Sequence, residues 1–391
     1  MMKPVSELQH ISRSAEERMV QLSAIELREI AMTLKHPFET SFGLTTERRI
    51  LLVNVVDRSG NVGSGECTAM ESPLFNHESI DTAWIMVSRY IPTMLSRQPA
   101  LCATDIGELL SAIRGNRMAI AAIETAVWDL EARIFGRPLW KHLGGTRKVI
   151  DCGVSIGLQK TPDALVEKVA AELQEGYQRI KLKIKPGKDV EYVKAVRTAF
   201  PKIMLSVDAN SAYELENDQK VFERLDEFGL LMIEQPLAAG DLIDHSKLQQ
   251  RLETPICLDE SITSLRDAQQ ALETDACRII NIKLGRVGGH SEARAIQELA
   301  RSRKIPVWCG GMLESGIGRA HNIAMSTLSG FTLPGDVSAS NRYWDEDIVE
   351  PPIEVSPDGT ITPPSKEGIG FGIREDRIRK LTVRSEVIRL S

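Results

Sequence analysis

The sequence predicts an α/β protein in which a (β/α)7β TIM-like barrel follows an N-terminal α+β capping domain. In the second half of the chain, short apolar runs alternate with helix-like segments at a period of about 25 residues. That alternation is typical of consecutive strand–helix units and a parallel sheet. In the first part of the chain, strand-like runs precede helical ones, which is typical of an α+β domain.

Composition narrows the class of protein. The chain has 391 residues, 42% of them hydrophobic and 26% charged, as expected for a globular protein with a sizeable core. The net charge of -6 provides no basic surface, so we expect no nucleic-acid partner. The first residues lack the apolar core of a signal peptide, and no run of about 18 apolar residues could span a bilayer. We therefore expect a cytoplasmic protein with no membrane partner.

Three segments are predicted outside the barrel. Residues 1–22 are polar and are predicted to form an extension. Residues 23–147 are predicted to form the capping domain, in which two strand runs meet at Ser59-Gly60-Asn61 and an apolar stripe predicts a helix that ends at Gly136. Residues 348–391 are rich in proline, glycine and charge, and we expect them to return to this domain and complete it.

The catalytic barrel is predicted over residues 148–347. Seven apolar runs mark its strands: DCGVSIGL, YQRIKLKIK, KIMLSVDAN, GLLMIEQP, TPICLDES, CRIINIKLG and IPVWCGGMLES. An eighth strand is predicted at FTLPGDVS. Eight such units fit a closed barrel better than an open sheet.

Five charged residues stand at the carboxyl ends of five successive strand runs. They are 25, 26, 25 and 24 positions apart: Lys183, Asp208, Glu234, Asp259 and Lys283. Because the carboxyl ends of barrel strands open into one mouth, we expect these side chains to converge there. Lys181 lies on the same face of its strand as Lys183, since side chains alternate along a strand.

The three acids predict a metal site. Carboxylates held together away from water repel each other and take up protons unless a cation joins them. Oxygen ligands suit Mg²⁺ or Mn²⁺, and the absence of His or Cys at an equivalent position argues against zinc. We predict one divalent cation held by Asp208, Glu234 and Asp259. Each acid by itself could instead cap a helix, but three acids in phase are hard to explain in that way.

The lysines predict proton transfer. A lysine beside a bound dication and apolar walls has a lowered pKa and can act as a general base. The cation would hold a substrate carboxylate and stabilise the enediolate that forms when the α-proton leaves. Lys183 and Lys283 belong to the second and sixth strands, on opposite sides of the mouth. The expected chemistry is racemisation or epimerisation, or loss of water where the β-carbon carries a leaving group.

The constellation resembles the enolase superfamily over about residues 25 to 380, and a Lys base with Mg²⁺ is known chemistry for that superfamily. The KxK motif of Lys181 and Lys183 and the opposing Lys283 are similar to its subgroup with lysines on facing strands. Five stretches resemble the o-succinylbenzoate synthase and N-succinylamino acid racemase group: PFETSFG (37–43), GECTAMESPLF (65–75), DANSAY (208–213), GGMLESGIGRAHN (310–322) and GDVSASNRYW (335–344).

The resemblance implies an enzyme that dehydrates a succinyl-hydroxy-cyclohexadiene carboxylate for menaquinone synthesis, racemises N-succinylamino acids, or does both. It implies that Lys183 is the proton-transfer base, Lys181 an auxiliary cation and Lys283 a cation that stabilises the enediolate. It also implies a small carboxylate substrate and a homo-oligomer. The alternative inside the superfamily is a dipeptide epimerase or another muconate lactonizing enzyme-like member. Outside it, the rivals are a Schiff-base aldolase, which needs no three acids in phase, and a barrel that has lost its chemistry.

Substrate contacts are expected from two regions. PFETSFG either closes over the mouth as a lid or forms a turn between strands, and the small residues of GGMLESG allow close approach to a ligand. Arg286 resembles an arginine of group members that racemise N-succinylamino acids, or else it binds loop carbonyls. The full expected set is Phe38, Ser41, Phe42, Asn210, Arg286, Gly311, Met312, Glu314 and Ser315.

Overall fold

The structure is a computed structural model that describes residues 19–98 and 100–390. Most of the predicted extension, residues 1–22, therefore lies outside the described residues. Within the described ranges, no helix is both long enough and apolar enough to cross a membrane.

Within residues 19–98 and 100–390, four antiparallel strands form the capping sheet. They are β1 (Leu22–Glu39), β2 (Leu44–Asp57), β3 (Val62–Cys67) and β15 (Thr382–Arg389), and they pair in the order β15-β1-β2-β3. The turn between β2 and β3 forms because Asp57 Oδ1 accepts hydrogen bonds from the backbone N–H groups of Ser59 and Asn61, both at 2.8 Å. The last strand of the chain thus joins the sheet that the first three strands begin.

Among the described residues, five α-helices follow β3 before the first barrel strand, with a π-helical turn at Met86–Tyr90 and a 3-10 turn at Ala103–Asp105. The α-helices are α1 (Ile80–Ile85), α2 (Ile91–Leu95), α3 (Ile106–Leu109), α4 (Arg117–Ile134) and α5 (Leu139–His142). Helix α4 matches the predicted apolar stripe and ends two residues before Gly136, which has φ +60°. It packs directly on β3, where a Cβ added at Gly63 would lie 2.2 Å from the carbonyl oxygen of Ala126. Glycine is therefore required at this contact.

Seven parallel strands form the barrel, and the predicted fold class is confirmed. They pair in chain order: β5 (Gly153–Ile156), β6 (Arg179–Lys183), β7 (Met204–Asp208), β8 (Ile233–Glu234), β9 (Ile256–Leu258), β10 (Ile279–Ile282) and β11 (Val307–Cys309). The intervening helices are α6 (Pro162–Gln174), α7 (Val190–Ala199), α8 (Leu215–Asp226), α9 (Leu242–Gln249), α10 (Leu265–Glu273), α11 (Leu284–Val287), α12 (His290–Ser302) and α13 (Gly316–Ser326).

The predicted eighth strand, FTLPGDVS, is an irregular segment that closes the ring. It makes one parallel bridge on each side, between Phe331 and Val307 and between Gly335 and Cys152. Pro334 lies between these bridges and has no N–H to donate to a ladder. The segment therefore occupies the eighth position of the barrel without forming a continuous strand.

The remaining elements connect the C-terminal residues to the start of the barrel domain and to the capping sheet. Strand β4 (Ile150–Asp151) pairs with β13 (Thr360–Ile361), and β12 (Val349–Glu350) pairs with β14 (Gly372–Ile373). Helix α14 (Glu375–Leu381) leads into β15. In PFETSFG, Phe38 lies within β1 and pairs with Thr45 of β2, so the turn expected in that segment is limited to residues 40–43.

The packing of α4 on β3 gives a stability prediction. Gly63→Ala should lower the free energy of unfolding by about 1–3 kcal/mol or more, because the new methyl group meets helix backbone that cannot move aside cheaply. Urea unfolding followed by circular dichroism measures the change. Gly107→Ala is the matched control: a Cβ there has no atom within 4 Å, and the change should stay within about 1 kcal/mol. Equal effects of the two substitutions would contradict the close packing.

Candidate active site

The barrel register places the charged residues side by side. Lys183 lies opposite Asp208, and Asp208 lies opposite Glu234, in the pairing of β6, β7 and β8. Asp259 and Lys283 directly follow β9 and β10. The three acids have no solvent exposure. The structure thus brings together at the strand ends the five residues that the spacing selected.

Lys181 lies at the centre of a group of carboxylates. Its Nζ is 2.8 Å from Glu234 Oε2, 3.1 Å from Asp208 Oδ2 and 2.9 Å from Asp336 Oδ2, and it lies over the ring of Trp308 at 4.8 Å. Burial lowers the pKa of Lys181, but the charges of the three acids outweigh burial and raise that pKa well above its usual value. The three carboxylates therefore favour the protonated form of Lys181.

Lys183 has a different environment. Its Nζ donates to Asp208 Oδ2 and to Asn210 Oδ1, both at 2.6 Å. Burial lowers the pKa of Lys183, and the charge of Lys181 lowers it further against the opposing effect of Asp208. Of these two neighbouring lysines, Lys183 is the one that more readily gives up its proton.

Lys283 faces the cluster from β10. Its Nζ is 2.7 Å from Asp259 Oδ2 and lies over the ring of Phe75 at 4.6 Å, a cation–π contact. Arg286 binds the other oxygen of Asp259 and donates its Nε to the carbonyl of Ile262 at 2.7 Å. Burial lowers the pKa of Arg286 to about 9. Arg286 and Lys283 therefore bind different oxygens of the Asp259 carboxylate.

The chemistry of the three acids suits a hard divalent cation, because they offer only oxygen ligands. Burial raises the pKa of Glu234, and the neighbouring charge of Asp208 raises it further, as expected for acids that share a site. Glu260 Oε2 is a buried carboxylate oxygen that has no hydrogen-bond partner in the part of the chain that the structure describes. As these side chains stand, no group of three His, Cys, Asp or Glu among the described residues is arranged to hold a metal; lysine and arginine groups bind the carboxylate oxygens instead.

A cavity opens above the cluster. Its floor is charged and polar and its walls are largely apolar. The lining residues are Phe38, Thr40, Phe42, Thr45, Met70, Phe75, Ser155, Lys181, Lys183, Asn210, Lys283, Gly311, Met312, Leu313, Asp336 and Tyr343. Such a site can take a small molecule with a charged end and an apolar body.

Four of the expected substrate contacts do not line this cavity: Ser41, Arg286, Glu314 and Ser315. Ser41 Oγ donates to the carbonyl of Asn210 at 3.4 Å. Glu314 Oε1 accepts from the backbone N–H of Met312 at 2.8 Å and from Asn322 Nδ2 at 2.9 Å. These side chains shape the loops around the cavity rather than its surface.

The sequence reasoning missed several residues that do line it. Asp336 is the most important, because it binds both Lys181 and Arg179, the latter at 2.6 Å. Burial raises the pKa of Asp336, but the two cations outweigh burial and lower it to about 2. A signal was available: Asp336, Met70, Phe75 and Tyr343 all fall within stretches that carry the family resemblance.

Glu66 of β3 links the capping sheet to the loop that follows β11. Its carboxylate accepts hydrogen bonds from Ser315 Oγ at 2.5 Å, from the Ser315 N–H at 3.1 Å and from the Gly318 N–H at 2.9 Å. These donors lie at the start of α13. The residues Gly311, Met312 and Leu313, which line the cavity, precede them by a few positions. Burial raises the pKa of Glu66 to about 7. Glu66 thus positions one wall of the cavity from the other domain.

Two family models match the chain. The model described as "Mandelate racemase / muconate lactonizing enzyme, N-terminal domain" matches residues 24–144, and "Enolase C-terminal domain-like" matches residues 164–377. The chain is 50% identical to an o-succinylbenzoate synthase of Geobacillus kaustophilus over 363 residues, 93% of this chain and 96% of that one. It is 47% identical to an N-succinylamino acid racemase of Thermus thermophilus over 365 residues, 93% of this chain and 98% of that one.

Solved structures of similar proteins have the same fold as this chain. An enolase superfamily member from Listeria innocua superposes with a TM-score of 0.92 at 42% identity, covering 95% of this chain and 100% of that chain. A dipeptide epimerase from Cytophaga hutchinsonii, described as a complex with Mg and the dipeptide D-Ala-L-Val, superposes with a TM-score of 0.85 at 27% identity, covering 95% and 100%.

The environment of Glu66 gives a pH prediction. Because its pKa rises from 4.5 to about 7 on folding, this carboxyl stabilises the fold below pH 4.5, and that contribution is lost as the pH rises through about 7. Glu66→Gln cannot titrate. The free energy of unfolding of the variant relative to wild type should therefore increase by about 2–3 kcal/mol between pH 5 and pH 8, measured by urea unfolding at both values. An unchanged difference would show that Glu66 is not buried in this way.

Proposed function

The chain belongs to the mandelate racemase / muconate lactonizing enzyme family of the enolase superfamily, and we propose that it removes the proton α to a substrate carboxylate. It acts as an o-succinylbenzoate synthase, an N-succinylamino acid racemase or both, the activities named for relatives at 50% and 47% identity. The dipeptide epimerase alternative is not favoured, because the epimerase is much more distant, at 28% identity.

The positions of two lysines are the main support for this proposal. Lys183 and Lys283, from the second and sixth barrel strands, line the same cavity, and buried acids lie beside both. A substrate held between them presents one face of its α-carbon to each lysine. Lys183, whose pKa burial lowers, takes the α-proton through Nζ. Lys181 stays charged beneath it, because three carboxylates stabilise its protonated form.

The two reactions share this first step and differ in the second. In racemisation, Lys283 gives a proton to the opposite face of the α-carbon. In dehydration, the electron pair left on the α-carbon forms the new double bond as the β-hydroxyl departs, and that hydroxyl leaves as water with the proton taken by Lys183. Lys283, paired with Asp259, then serves as a fixed positive charge.

Asp208, Glu234 and Asp259 are the residues that would hold a divalent cation, and Mg²⁺ is the proposed ion, with Mn²⁺ as a substitute. When bound, it supplies positive charge that stabilises the substrate carboxylate as the α-proton leaves. The described acids favour a hard cation because they offer only oxygen.

The walls of the cavity fit the rest of the proposed substrate. Phe38, Phe42 and Met312 line it together with other apolar side chains, and they would contact the succinyl or amino-acid side chain. We also propose that residues 23–147 with 348–391 form the capping domain and that residues 148–347 form the catalytic domain. Menaquinone synthesis, a cytoplasmic location and a homo-oligomeric state belong to the same proposal.

Lys183→Ala should lower the dehydration rate by about 10²–10⁴-fold, the usual contribution of a positioned general base. The assay follows formation of o-succinylbenzoate by ultraviolet absorbance, with circular dichroism to confirm folding. Lys185→Ala is the matched control: Lys185 lies two residues away, and its side chain is 34% exposed and pairs with Glu39 at 3.4 Å. Activity of Lys183→Ala close to that of the control would remove Lys183 from the mechanism.

Lys283→Ala should affect the two enantiomers of an N-succinylamino acid unequally. If each lysine serves one face, this variant loses α-proton exchange in D₂O from one enantiomer, and Lys183→Ala loses it from the other. Mass spectrometry of each enantiomer after incubation measures the exchange. Equal losses from both enantiomers in the Lys283→Ala variant would contradict the two-face arrangement.

Removal of divalent cations should abolish both activities. Dialysis against EDTA is expected to leave the fold intact, by circular dichroism, and added Mg²⁺ or Mn²⁺ should restore the rate. Glu234→Gln should weaken that restoration, because it removes one of three charged ligands. Full activity in the metal-free protein would contradict the proposed cofactor.

A further inference from the structure

Lys181 binds two carboxylates that the proposed metal would also use. Its Nζ is 2.8 Å from Glu234 Oε2 and 3.1 Å from Asp208 Oδ2. The other oxygen of Glu234 accepts from Asn281 Nδ2 at 2.7 Å. The other oxygen of Asp208 accepts from the backbone N–H of Asn210 at 3.1 Å. An ammonium group and a divalent cation on the same carboxylates repel each other, so Lys181 competes with the metal for these two acids.

Asp336 is a partner of Lys181 that does not belong to the proposed metal ligands. Its Oδ2 is 2.9 Å from Lys181 Nζ. Lys183 has no such alternative, because its one carboxylate partner within the described residues is Asp208, itself a proposed ligand. Lys181 can therefore keep a carboxylate partner when a metal occupies the site.

Arg179 fixes the orientation of the Asp336 carboxylate. Arg179 Nη2 binds Asp336 Oδ1 at 2.6 Å, and this contact leaves Oδ2 for Lys181. The guanidinium group is held in turn, because its Nε donates to the carbonyl of Pro334 at 2.9 Å and the group lies over the ring of Trp308 at 4.5 Å. Arg179 has no solvent exposure. A buried arginine thus orients the acid toward Lys181.

The backbone on which Asp336 stands is fixed between β11 and β5. The Asp336 N–H donates to the carbonyl of Cys309 at 2.8 Å, and the carbonyl of Gly335 accepts from the N–H of Gly153 at 2.6 Å. A Cβ added at Gly335 would lie 2.9 Å from the carbonyl oxygen of Cys309, so glycine is needed at this close approach. The segment that closes the barrel therefore also brings a carboxylate to Lys181.

We propose that Asp336 is a positioning residue for the metal site: it holds the ammonium group of Lys181 and so leaves Asp208 and Glu234 free for the divalent cation. This role rests on the proposed metal-dependent function and deepens it. Without the Asp336 carboxylate, the remaining carboxylate partners of Lys181 in the described chain are the two metal ligands. A buried cation requires such partners, and its charge would then oppose the metal at those acids.

Direct measurement of Mn²⁺ binding tests this role. Asp336→Asn removes the charge of the side chain with little change in its size, and it should raise the Kd for Mn²⁺ at least about tenfold. Electron paramagnetic resonance of free Mn²⁺, titrated into the full-length protein, gives the Kd without turnover, and circular dichroism confirms folding. Asp151→Asn is the matched control: its carboxylate pairs instead with Arg147 at 2.6 Å, and the Kd should stay within about twofold of wild type.

Two further variants separate positioning from a change of charge or of fold. The double variant Arg179→Met, Asp336→Asn keeps the net charge of the cluster and leaves no buried arginine without its acid. Lys181 still lacks its carboxylate there, so the Kd should again rise about tenfold. In a Lys181→Met background, Asp336→Asn should change the Kd by less than about threefold, because the competing ammonium group is absent.

The outcomes distinguish this role from the proposed function. A Kd close to that of wild type in Asp336→Asn, or in the charge-neutral double variant, would overturn the role of Asp336 and leave the proposed metal-dependent activity intact. An equal rise of the Kd in the Lys181→Met background would also overturn it, since the effect would not act through Lys181. A wild type that binds no Mn²⁺ would contradict the proposed cofactor and this role together.

Discussion

Compensation of buried negative charge is the constraint on which the barrel mouth depends. Asp208, Glu234 and Asp259 have no solvent exposure, and burial of an ionised carboxylate costs several kcal/mol unless a partner offsets it. Lys181, Lys183 and Lys283 supply the partners at 2.6–2.8 Å. The same three lysines thus offset the buried charge at the strand ends and line the cavity. A substitution at any of them should therefore affect both stability and activity.

Two parts of the chain build the cavity together. The barrel supplies the charged floor, and the capping part supplies Phe38, Met70 and Phe75 as walls. Glu66 from the capping sheet fixes the start of α13, and the Glu124 carboxylate of α4 accepts from the backbone N–H groups of His290 and Ser291, both at 2.8 Å. Because buried carboxylates bridge the two parts at helix starts, the wall of the cavity is held relative to its floor.

The sequence predicted the barrel and its charged residues well, since both rest on regular periodicity. A strand reverses side-chain direction at every residue, so position along β6 indicates that Lys181 and Lys183 share the inner face. Irregular segments offer no such rule. Leu313 has φ +58°, and Glu314 and Ser315, which follow this bend, do not line the cavity. Asp336 was missed although it lies near the end of the segment predicted as the eighth strand, because only three-dimensional proximity reveals its contact with Lys181.

If one charged cavity serves both reactions, an added N-succinylamino acid should compete with the substrate of dehydration. Dehydration can be measured at several concentrations of that compound, alongside its racemisation under the same conditions. Purely competitive inhibition is expected, with an inhibition constant that matches the KM for racemisation or, if no racemisation occurs, a single competitive constant. Noncompetitive inhibition, or racemisation without any effect on dehydration, would contradict it.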